Sequence, residues 1–566
     1  MEGLILKTQL SYNYINRDQE IWNKRQIIYD DNGDVVVDTG KNALKNTTFN
    51  REEYQNETFL TYEKLFAEKH DIKFLAGYSF FKLNANQYSA YGEDLPNNTI
   101  KVLDAASSNY NISGSQWSNA LESWFGRINY IFSEKYLFEG NIRYDGSSRF
   151  SEENRWGIFP SVSLGWIISK ERFLSRYNWL NHLKLRGSWG LLGNQNINDS
   201  YPYIQTYDVG QNYLLGSDPG LTGGIAVTSV ANNAATWENT ETYNIGFDAT
   251  LFKRLNVNFD YFDKITNDVL IQLPIPATLG NVSAPYVNDA TIANKGWEGI
   301  ISYRNNFNKL TYNISFNISS VKNEIIDLKG QEFYPDNRIH REGEPFGSWY
   351  GLEAIGIFKT EEEVQNAAFQ HGQTAPGDLQ YADLSGPEGQ PDGIIDSYDR
   401  RIIGNSFPEY VYGFNLGLNY KGFDANAFFQ GVQNIDIYSS ETAENTGSNN
   451  AYYTWTTRWL DRWTPENPDS QLPRLRTVWE QNELVSSFWL NDASYLRLKN
   501  IEIGYTLPNS LTSKFKISKL RIYAGGQNLI SWTKLKNYDP EKRTNDVRNE
   551  SYPQLKIIQF GINCEF

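Results

Sequence analysis

An acidic segment in the second half of the chain carries side chains that could hold a divalent cation. Asp383, Asp392, Asp396 and Asp399 lie close together around a glycine-containing turn, and carboxylate oxygens are the ligands that Ca²⁺ prefers. Residues 387–391 separate the first acid from the next and break the compact ligand spacing of a calcium loop. The sequence therefore favours a structured acidic turn, with Ca²⁺ binding as the alternative, and we expect no other cofactor.

A second segment, residues 435–489, is rich in aromatic rings. Exposed aromatic faces stack on sugar rings and on peptide side chains. We therefore predict substrate contacts for Tyr452, Tyr453, Trp455 and Trp479. The alternative is that these rings pack the segment against itself or against a partner protein.

The residues needed for catalysis or for a zinc site do not form a recognisable pattern. The four histidines, His70, His182, His340 and His371, are scattered, and Cys564 is the single cysteine. No nucleophile with an adjacent base is apparent. The net charge of −15 disfavours nucleic acid as a partner, because phosphate binding requires basic patches. We predict that the protein is not an enzyme.

The elements that must position these segments are strands, because apolar and polar residues alternate along much of the chain. In residues 310–319 one face is apolar and the other carries only Thr, Asn and Ser. The apolar face consists of Leu310, Tyr312, Ile314, Phe316 and Ile318. Runs of this kind are about 8 to 12 residues long, the length that crosses a bilayer at a tilt. The pattern predicts membrane-spanning β-strands.

The number of such runs predicts an all-β fold with roughly sixteen strands in a large antiparallel transmembrane β-barrel. A soluble β-sandwich also alternates, but its outer face carries charges and its strands are shorter. Here tyrosines occur at both ends of a strand, as Tyr410 and Tyr420 do, which is typical of aromatic girdles at membrane interfaces. The predicted strands are residues 4–14, 59–66, 73–81, 124–132, 136–144, 159–167, 183–191, 243–251, 255–261, 296–304, 310–319, 350–358, 410–420, 423–429, 495–507, 520–529 and 555–566.

Short and long connections alternate between the predicted strands. Tight turns are predicted at residues 133–135, 253–254, 306–308 and 421–422. Long polar connections are predicted at residues 16–56, 82–120, 192–241, 264–295, 320–348, 359–408, 432–493 and 530–554. Outer-membrane barrels have short periplasmic turns and long extracellular loops. We therefore expect the long connections to lie on the extracellular side.

The last strand ends the chain on an aromatic residue. Its apolar face consists of Ile558, Phe560, Ile562, Cys564 and Phe566. We predict that this strand is the signal read by the outer-membrane assembly machinery, because an edge strand can pair transiently with another sheet. The alternative is an ordinary last strand that happens to end in Phe.

Several segments together resemble the SusC/RagA-type TonB-dependent transporters of Bacteroidota. The longest is SYLRLKNIEIGYTLPNSLTSKFKISKLRIYAGGQNLISWTKLKNYDPE, residues 494–541. Others are RYDGSSRF (143–150), WGIFPSVSLGW (156–166), LRGSWGLLGNQNI (185–197), TWENTETYNIGFD (236–248), IANKGWEG (292–299), REGEPFGSWYG (341–351), PGDLQYAD (376–383) and RWTPENP (462–468). They keep the order found in the family and extend over nearly the whole chain. For RWTPENP, which resembles a fixed motif of the family, we predict a packing role.

The resemblance implies the architecture and the partners. The family barrel has 22 strands and an internal plug, and this sequence corresponds to its carboxy-terminal part, residues 1–566, without signal peptide, TonB box or plug. The implied function is TonB-dependent import of oligosaccharides or peptides across the outer membrane with a SusD-like surface lipoprotein. The TonB complex would act through the amino-terminal region that this sequence lacks. Alternatives are a passive outer-membrane barrel, a surface glycan-binding protein or a non-functional truncated remnant.

Overall fold

A computed structural model provides the structure of the chain. It describes residues 3–197, 199–214, 221–272, 275–280, 282–438, 457–475, 481–535, 539–541 and 554–566.

Strands are the dominant elements. They are β1 (Leu4–Asn23), β2 (Ile27–Tyr29), β3 (Val35–Asp38), β4 (Ala43–Phe66), β5 (His70–Glu93), β6 (Ser108–Phe132), β7 (Tyr136–Ser147), β8 (Trp156–Ile167), β9 (Leu180–Asn194), β10 (Tyr207–Val209), β11 (Tyr213–Leu214), β12 (Leu221–Thr222), β13 (Ile225–Val227), β14 (Glu238–Leu251), β15 (Leu255–Gln272), β16 (Tyr286–Phe307), β17 (Leu310–Asp327), β18 (Arg338–Ile339), β19 (Ser348–Gly351), β20 (Ala354–Ile357), β21 (Leu379–Tyr381), β22 (Arg401–Gly404), β23 (Tyr410–Tyr420), β24 (Phe423–Gln433), β25 (Asp436–Tyr438), β26 (Leu490–Asp492), β27 (Tyr495–Thr506), β28 (Lys519–Thr533) and β29 (Ile557–Glu565).

Helices are short. The α-helices are α1 (Glu361–Asn366) and α2 (Asn509–Thr512), and single 3₁₀ turns cover Leu103–Ala105, Ile168–Lys170, Ala277–Leu279, Ser397–Asp399, Thr457–Asp461, Ser487–Trp489 and Ser513–Phe515. Within the described ranges, no helix has the length and apolar character needed to cross a membrane.

Sixteen strands form one antiparallel sheet in the order β1-β4-β5-β6-β7-β8-β9-β14-β15-β16-β17-β23-β24-β27-β28-β29. The predicted all-β class and the predicted number of strands are confirmed. Every strand lies beside the next sheet strand along the chain, as in an up-and-down meander. The chain divides into two compact units. Unit 1 contains residues 1–165, 188–242 and 266–289, and unit 2 contains residues 166–187, 243–265 and 290–566.

In unit 1 the strands are much longer than a bilayer requires. β4 and β5 have 24 residues each, and β6 has 25, whereas about 9–11 residues span the membrane. The prediction of polar connections at residues 16–56 and 82–120 was therefore wrong, because most of both segments is paired strand. In these stretches polar side chains occur on both faces of the strands. The pairing therefore continues without an apolar–polar alternation that the sequence could reveal.

In unit 2 the predicted alternation coincides with regular pairing. Leu310 of β17 pairs with Tyr420 of β23, and the register continues without a bulge to Ser320 and Tyr410. β23 in turn pairs with β24 from Tyr410 to Tyr420. Apolar side chains therefore line up across adjacent strands, which gives the sheet one continuous apolar face.

The tight turn between β23 and β24 lies where it was predicted. Tyr420 and Phe423 form the closing pair, and the two turn residues have positive φ angles, 48° for Lys421 and 87° for Gly422. Two successive positive φ angles match the right-handed twist of the flanking strands. A Cβ atom at Gly422 would lie 2.7 Å from the carbonyl oxygen of Thr506, so glycine also permits the close approach of the neighbouring chain.

One predicted spanning strand was wrong. Residues 350–358 do not join the main sheet, and instead contribute to β19 and β20, which belong to small separate sheets. The alternation there reflects burial inside a folded loop region, where Leu352 and Phe358 are nearly inaccessible. A Cβ atom at Gly351 would lie 2.4 Å from the carbonyl oxygen of Val485, so another segment covers this one closely.

This loop region, which we call the loop module, comprises residues 328–409, 434–438, 457–475 and 481–494. Two apolar clusters hold it together. The first contains Trp349, Tyr438, Trp459, Leu472 and Trp489, and the second contains Leu352, Leu379, Tyr381 and Ile395. Both clusters unite residues from the connection that follows β17 with hydrophobic side chains from the connection that follows β24. The loop module is therefore a folded structure with its own cores.

The buried tryptophan Trp459 provides a test of the loop module. Its side chain is 1% exposed, whereas the next residue, Leu460, is 79% exposed. Replacing a buried tryptophan by alanine typically costs about 3–5 kcal/mol. We expect Trp459→Ala to make the loop module sensitive to limited proteolysis while the barrel strands remain protected. Leu460→Ala is the matched control, and equal sensitivity of the two variants would contradict the packing described here.

Candidate functional site

The two faces of the unit 2 sheet differ sharply in chemistry. Ile503 and Ile522 are about half exposed on one face of β27 and β28, as expected for side chains that meet lipid. Their chain neighbours Glu502 and Arg521 lie on the opposite face, because side chains alternate along a strand. We call this polar face the lumen wall.

The first charged group of the lumen wall centres on Arg521 of β28. Its Nε donates to Oδ1 of Asp424 on β24 at 2.9 Å, and its Nη2 donates to Oε1 of Glu502 on β27 at 2.6 Å. One guanidinium thus connects carboxylates on two other strands. Because the side chain of Arg521 is only 15% exposed, these charge-assisted bonds are partly shielded from water.

A second group repeats this chemistry around Arg186 of β9. Its guanidinium pairs with Asp248 of β14 at 3.3 Å and with Asp260 of β15. Asn258 also donates to Asp248, at 2.8 Å. Again one arginine pairs with two carboxylates, so this part of the lumen wall is polar and carries one excess negative charge.

A third group lies where β27 meets the connection after β28. Arg497 is 4% exposed, and its Nη2 donates to Asp539 at 2.9 Å. Its Nη1 is 3.0 Å from Glu541, which also accepts from Lys499 at 2.8 Å. These pairs fix the DPE part of the segment that resembles the family motif onto the strand end.

A small cavity with a mixed lining, which includes Ile300 and Ile318 beside polar groups, opens on β15, β16 and β17. Its volume is about 210 Å³, and its lining includes Asn258, Asp260, Glu298, Asn317 and Ser319. Amide, hydroxyl and carboxylate groups can exchange hydrogen bonds with a hydrated solute. This part of the lumen wall therefore suits polar cargo.

Sequence reasoning did not identify these arginine groups. The partners of Arg521 lie 97 and 19 residues away in sequence, so local spacing gives no signal. The available clue was an arginine or aspartate at a polar position of an alternating strand. Such a charge, placed inside a bilayer, requires a partner.

The predicted acidic turn is described in full. Asp399 is completely buried, and its carboxylate accepts from the backbone nitrogens of Leu384, at 2.7 Å, and Asp396, at 2.8 Å. Asp383 accepts from Gly393 at 2.8 Å, and Asp392 and Asp396 each cap a nearby backbone nitrogen. In the part of the chain that is described, no three acidic, His or Cys side chains are grouped to hold a metal ion. The structured acidic turn stays the prediction, with calcium binding as its alternative.

The predicted substrate-contacting rings Tyr452, Tyr453, Trp455 and Trp479 lie outside the described residues. The RWTPENP segment is described, and it packs. The backbone nitrogen of Trp463 donates to Leu472 at 2.9 Å. A Cβ atom at Gly377 would lie 2.5 Å from the Trp463 ring, so the indole lies directly on that backbone.

A buried ion pair supports the same contact. Arg474 donates to both carboxylate oxygens of Asp378, at 2.8 and 3.0 Å. Asp378 is fully buried within the PGDLQYAD segment. One bidentate pair thus connects the PGDLQYAD segment to the chain that follows RWTPENP, in the strongest common geometry for an arginine and a carboxylate.

The last strand, β29, pairs with β28. The pairing runs from Lys519 opposite Glu565 to Gln527 opposite Ile557. Ile558, Phe560 and Ile562 are 66–81% exposed, Phe566 is 91% exposed, and Cys564 is exposed. The five predicted assembly-signal residues therefore present an apolar surface on a strand with one neighbour in the sheet. The role in assembly stays a prediction.

Two carboxylates of the loop module have unusual proton affinities. Burial raises the pKa of Glu483 from 4.5 to about 7. Burial also raises the pKa of Asp436, and the Asp492 carboxylate adds to this. Neither carboxylate has a salt bridge to a cation within the described ranges, in contrast to those of the lumen wall.

Comparison with known proteins identifies the class and then the relatives. Residues 5–529 match the family described as TonB dependent receptor-like, beta-barrel, and the chain belongs to this family. TonB-dependent receptor P3 of Formosa agariphila is 32% identical over 91% of this chain and 53% of that protein. TonB-dependent receptor SusC of Bacteroides thetaiotaomicron is 30% identical over 79% of this chain and 44% of that protein.

A solved structure shows the same fold. The chain superposes on the RagAB peptide transporter with a TM-score of 0.83 and 25% identity, covering 99% of this chain and 60% of that one. The resemblance to SusC/RagA-type barrels is therefore confirmed. The chain spans about half the length of the curated relatives that it matches.

The Arg521 group can be tested by removing its cation. Arg521→Met leaves Asp424 and Glu502 without a partner, and we expect a loss of about 1–3 kcal/mol of stability. Band-shift electrophoresis of heated samples measures barrel unfolding. Adding Asp424→Asn and Glu502→Gln to Arg521→Met removes the unpaired charges and should restore most of the loss. A triple variant no more stable than Arg521→Met would contradict the electrostatic explanation.

The Glu483 carboxylate should make loop-module stability depend on pH. Because burial raises its pKa to about 7, the folded state binds more protons than the unfolded state between about pH 4.5 and 7. Stability is then fully present at low pH and falls as pH rises through 7. We expect protease resistance of the loop module to decrease from pH 5 to pH 8, and Glu483→Gln to flatten this dependence. The exposed Glu362 provides a control, since Glu362→Gln should retain the wild-type profile.

Proposed function

We propose that this chain forms barrel wall and extracellular loops of an outer-membrane transporter that imports oligosaccharides or peptides. Membership of the TonB-dependent receptor barrel family supports energised transport, and the RagAB peptide transporter shares the fold. The observation that carries the proposal is the lumen wall, where two arginines each pair with two carboxylates on neighbouring strands. Charged and hydrogen-bonded side chains on this face give the barrel the polar interior typical of outer-membrane barrels.

We further propose that a SusD-like lipoprotein closes over the loop module. The two apolar cores make the loop module a stable platform, and a pre-organised surface binds a partner with little ordering cost. TonB would act through a region beyond this chain. The outer membrane is the proposed location, with the apolar strand face in contact with lipid.

Uptake in cells tests the function. The gene that contains this chain would be deleted and restored, and uptake of fluorescent oligosaccharide and peptide pools measured with and without TonB. We expect uptake of one pool to require both the gene and TonB. Uptake that persists without TonB would indicate a passive barrel, and surface binding without uptake would indicate a glycan-binding protein. If neither uptake nor surface binding is detected, the result would favour a non-functional remnant.

A further inference from the structure

Unit 1 contains a larger cavity, at the end of the strands opposite the tight turn. β4 and β5 are joined at Phe66–His70 by a short turn, while the cavity lies where β1, β4 and β5 meet their long connections. Its volume is about 750 Å³, within the range of roughly 300–1,000 Å³ usual for small-molecule sites. It is lined by Trp22, Asn23, Lys24, Gln26, Thr39, Lys41, Ala43, Tyr91 and Glu93.

The strands give the cavity a fixed base. Asn23 pairs with Ala43, and Ala43 pairs with Glu93, so the three residues form a row across β1, β4 and β5. Tyr91 lies two residues before Glu93, on the same face of β5. Its hydroxyl donates to Oε1 of Glu93 at 2.7 Å, and Asn109 donates to the same oxygen at 2.8 Å. The Glu93 carboxylate is therefore held in one position.

Hydrogen bonds within the chain hold the rest of the cavity wall, at Gln26 and Thr39, in place. The backbone nitrogen of Gln26 donates to Oγ1 of Thr39 at 2.7 Å, and the nitrogen of Thr39 donates back to the carbonyl of Gln26 at 3.0 Å. Next to them Arg25 forms a bidentate pair with Asp38, at 3.0 and 2.8 Å. A cavity whose walls are already ordered binds with a smaller entropy penalty.

The lining favours one kind of ligand. Two aromatic residues offer apolar surface for the C–H face of a sugar, while amide, hydroxyl and carboxylate groups offer donors and acceptors for its hydroxyls. Peptides are usually held by strand pairing or by apolar pockets, and only Trp22, Ala43 and Tyr91 in this lining are apolar or aromatic.

The charges narrow the ligand class further. Arg25 forms a salt bridge with Asp38. Lys41 donates a hydrogen bond to Ser108 at 2.7 Å and lies 3.9 Å from the Asp94 carboxylate. Lys24, which is exposed, has no salt bridge with any residue that the structure describes. The carboxylate in the lining, Glu93, already accepts hydrogen bonds from Tyr91 and Asn109. Lys24 is therefore available for an anionic substituent of the ligand.

We propose that this cavity, which we call the rim site, binds oligosaccharides that carry a carboxylate, with Lys24 facing the anionic group and Tyr91 the sugar ring. The inference rests on the proposed function, because it names the substrate class of the same transporter. On this basis the rim site selects acidic over neutral saccharides before cargo enters the lumen.

Calorimetric titration of the full-length purified protein in detergent tests the rim site. The probes are trigalacturonate, the neutral galactotriose and trialanine. We expect trigalacturonate to bind about tenfold more tightly than galactotriose, the size of one charge-assisted hydrogen bond. Lys24→Gln should remove this difference, and Tyr91→Ala should weaken both sugars, whereas Tyr91→Phe should retain most of the affinity. Lys69→Gln, at the opposite turn, is the matched lysine control.

Several results would overturn the proposal. They are equal binding of the two sugars by the wild-type protein, tighter binding of trialanine, or an unchanged preference in Lys24→Gln. Because Lys24 is exposed, its substitution tests the site even where Tyr91→Ala fails to assemble. Binding is measured without transport, so a protein that imports cargo but does not bind trigalacturonate disproves the rim site alone. A protein that binds trigalacturonate but imports nothing disproves the proposed function alone.

Discussion

The peptide group's need for a hydrogen-bond partner governs the whole molecule. In the hydrocarbon region water supplies no partner, and each unsatisfied group costs several kcal/mol. Antiparallel pairing on both sides of a strand satisfies these groups, as it does for β24 between β23 and β27. Period-two alternation follows directly, because pairing within a sheet directs successive side chains to lipid and to lumen. The lipid-facing positions must be apolar, which leaves the other face to carry polar function.

Charged side chains on that face are only partly exposed to water. An arginine or aspartate facing the lumen requires a partner, and in a meander the nearest partners lie on neighbouring strands. Arg521 reaches Asp424 and Glu502 on two different strands, so the charged group also cross-links the sheet. In the loop module, Glu483 and Asp436 form no salt bridge with any cation among the described residues. Burial there raises their pKa instead.

The sequence predicted the strands in which apolar and polar residues alternate. It did not predict the loop module or the ion-pair groups, which depend on contacts between distant residues. The β23–β24 hairpin was predicted closely because both strands alternate and Lys421-Gly422 is a strong turn signal. Residues 350–358 alternate equally well, yet they lie in the loop module, because burial between two loop segments imposes the same pattern. The upper parts of β4 and β5 gave no signal, since polar side chains occur on both faces. The ion-pair groups join residues far apart in sequence, so only the folded chain could reveal them.

The segments that resemble the family are mainly those that build the framework. Three of them each supply one such residue. Trp349 packs in an apolar cluster, Asp378 accepts hydrogen bonds from Arg474, and the Trp463 ring covers Gly377. Such contacts keep the loop module folded whatever the cargo is. Lys24 lies in none of these segments, and it lines a cavity whose walls are held by other residues. A side chain at such a position can change without loss of the fold, which is the physical condition for varying the ligand on a fixed barrel. Differences in cargo between related barrels should therefore be sought at the rim and in the loops, and the shared motifs should be read as packing.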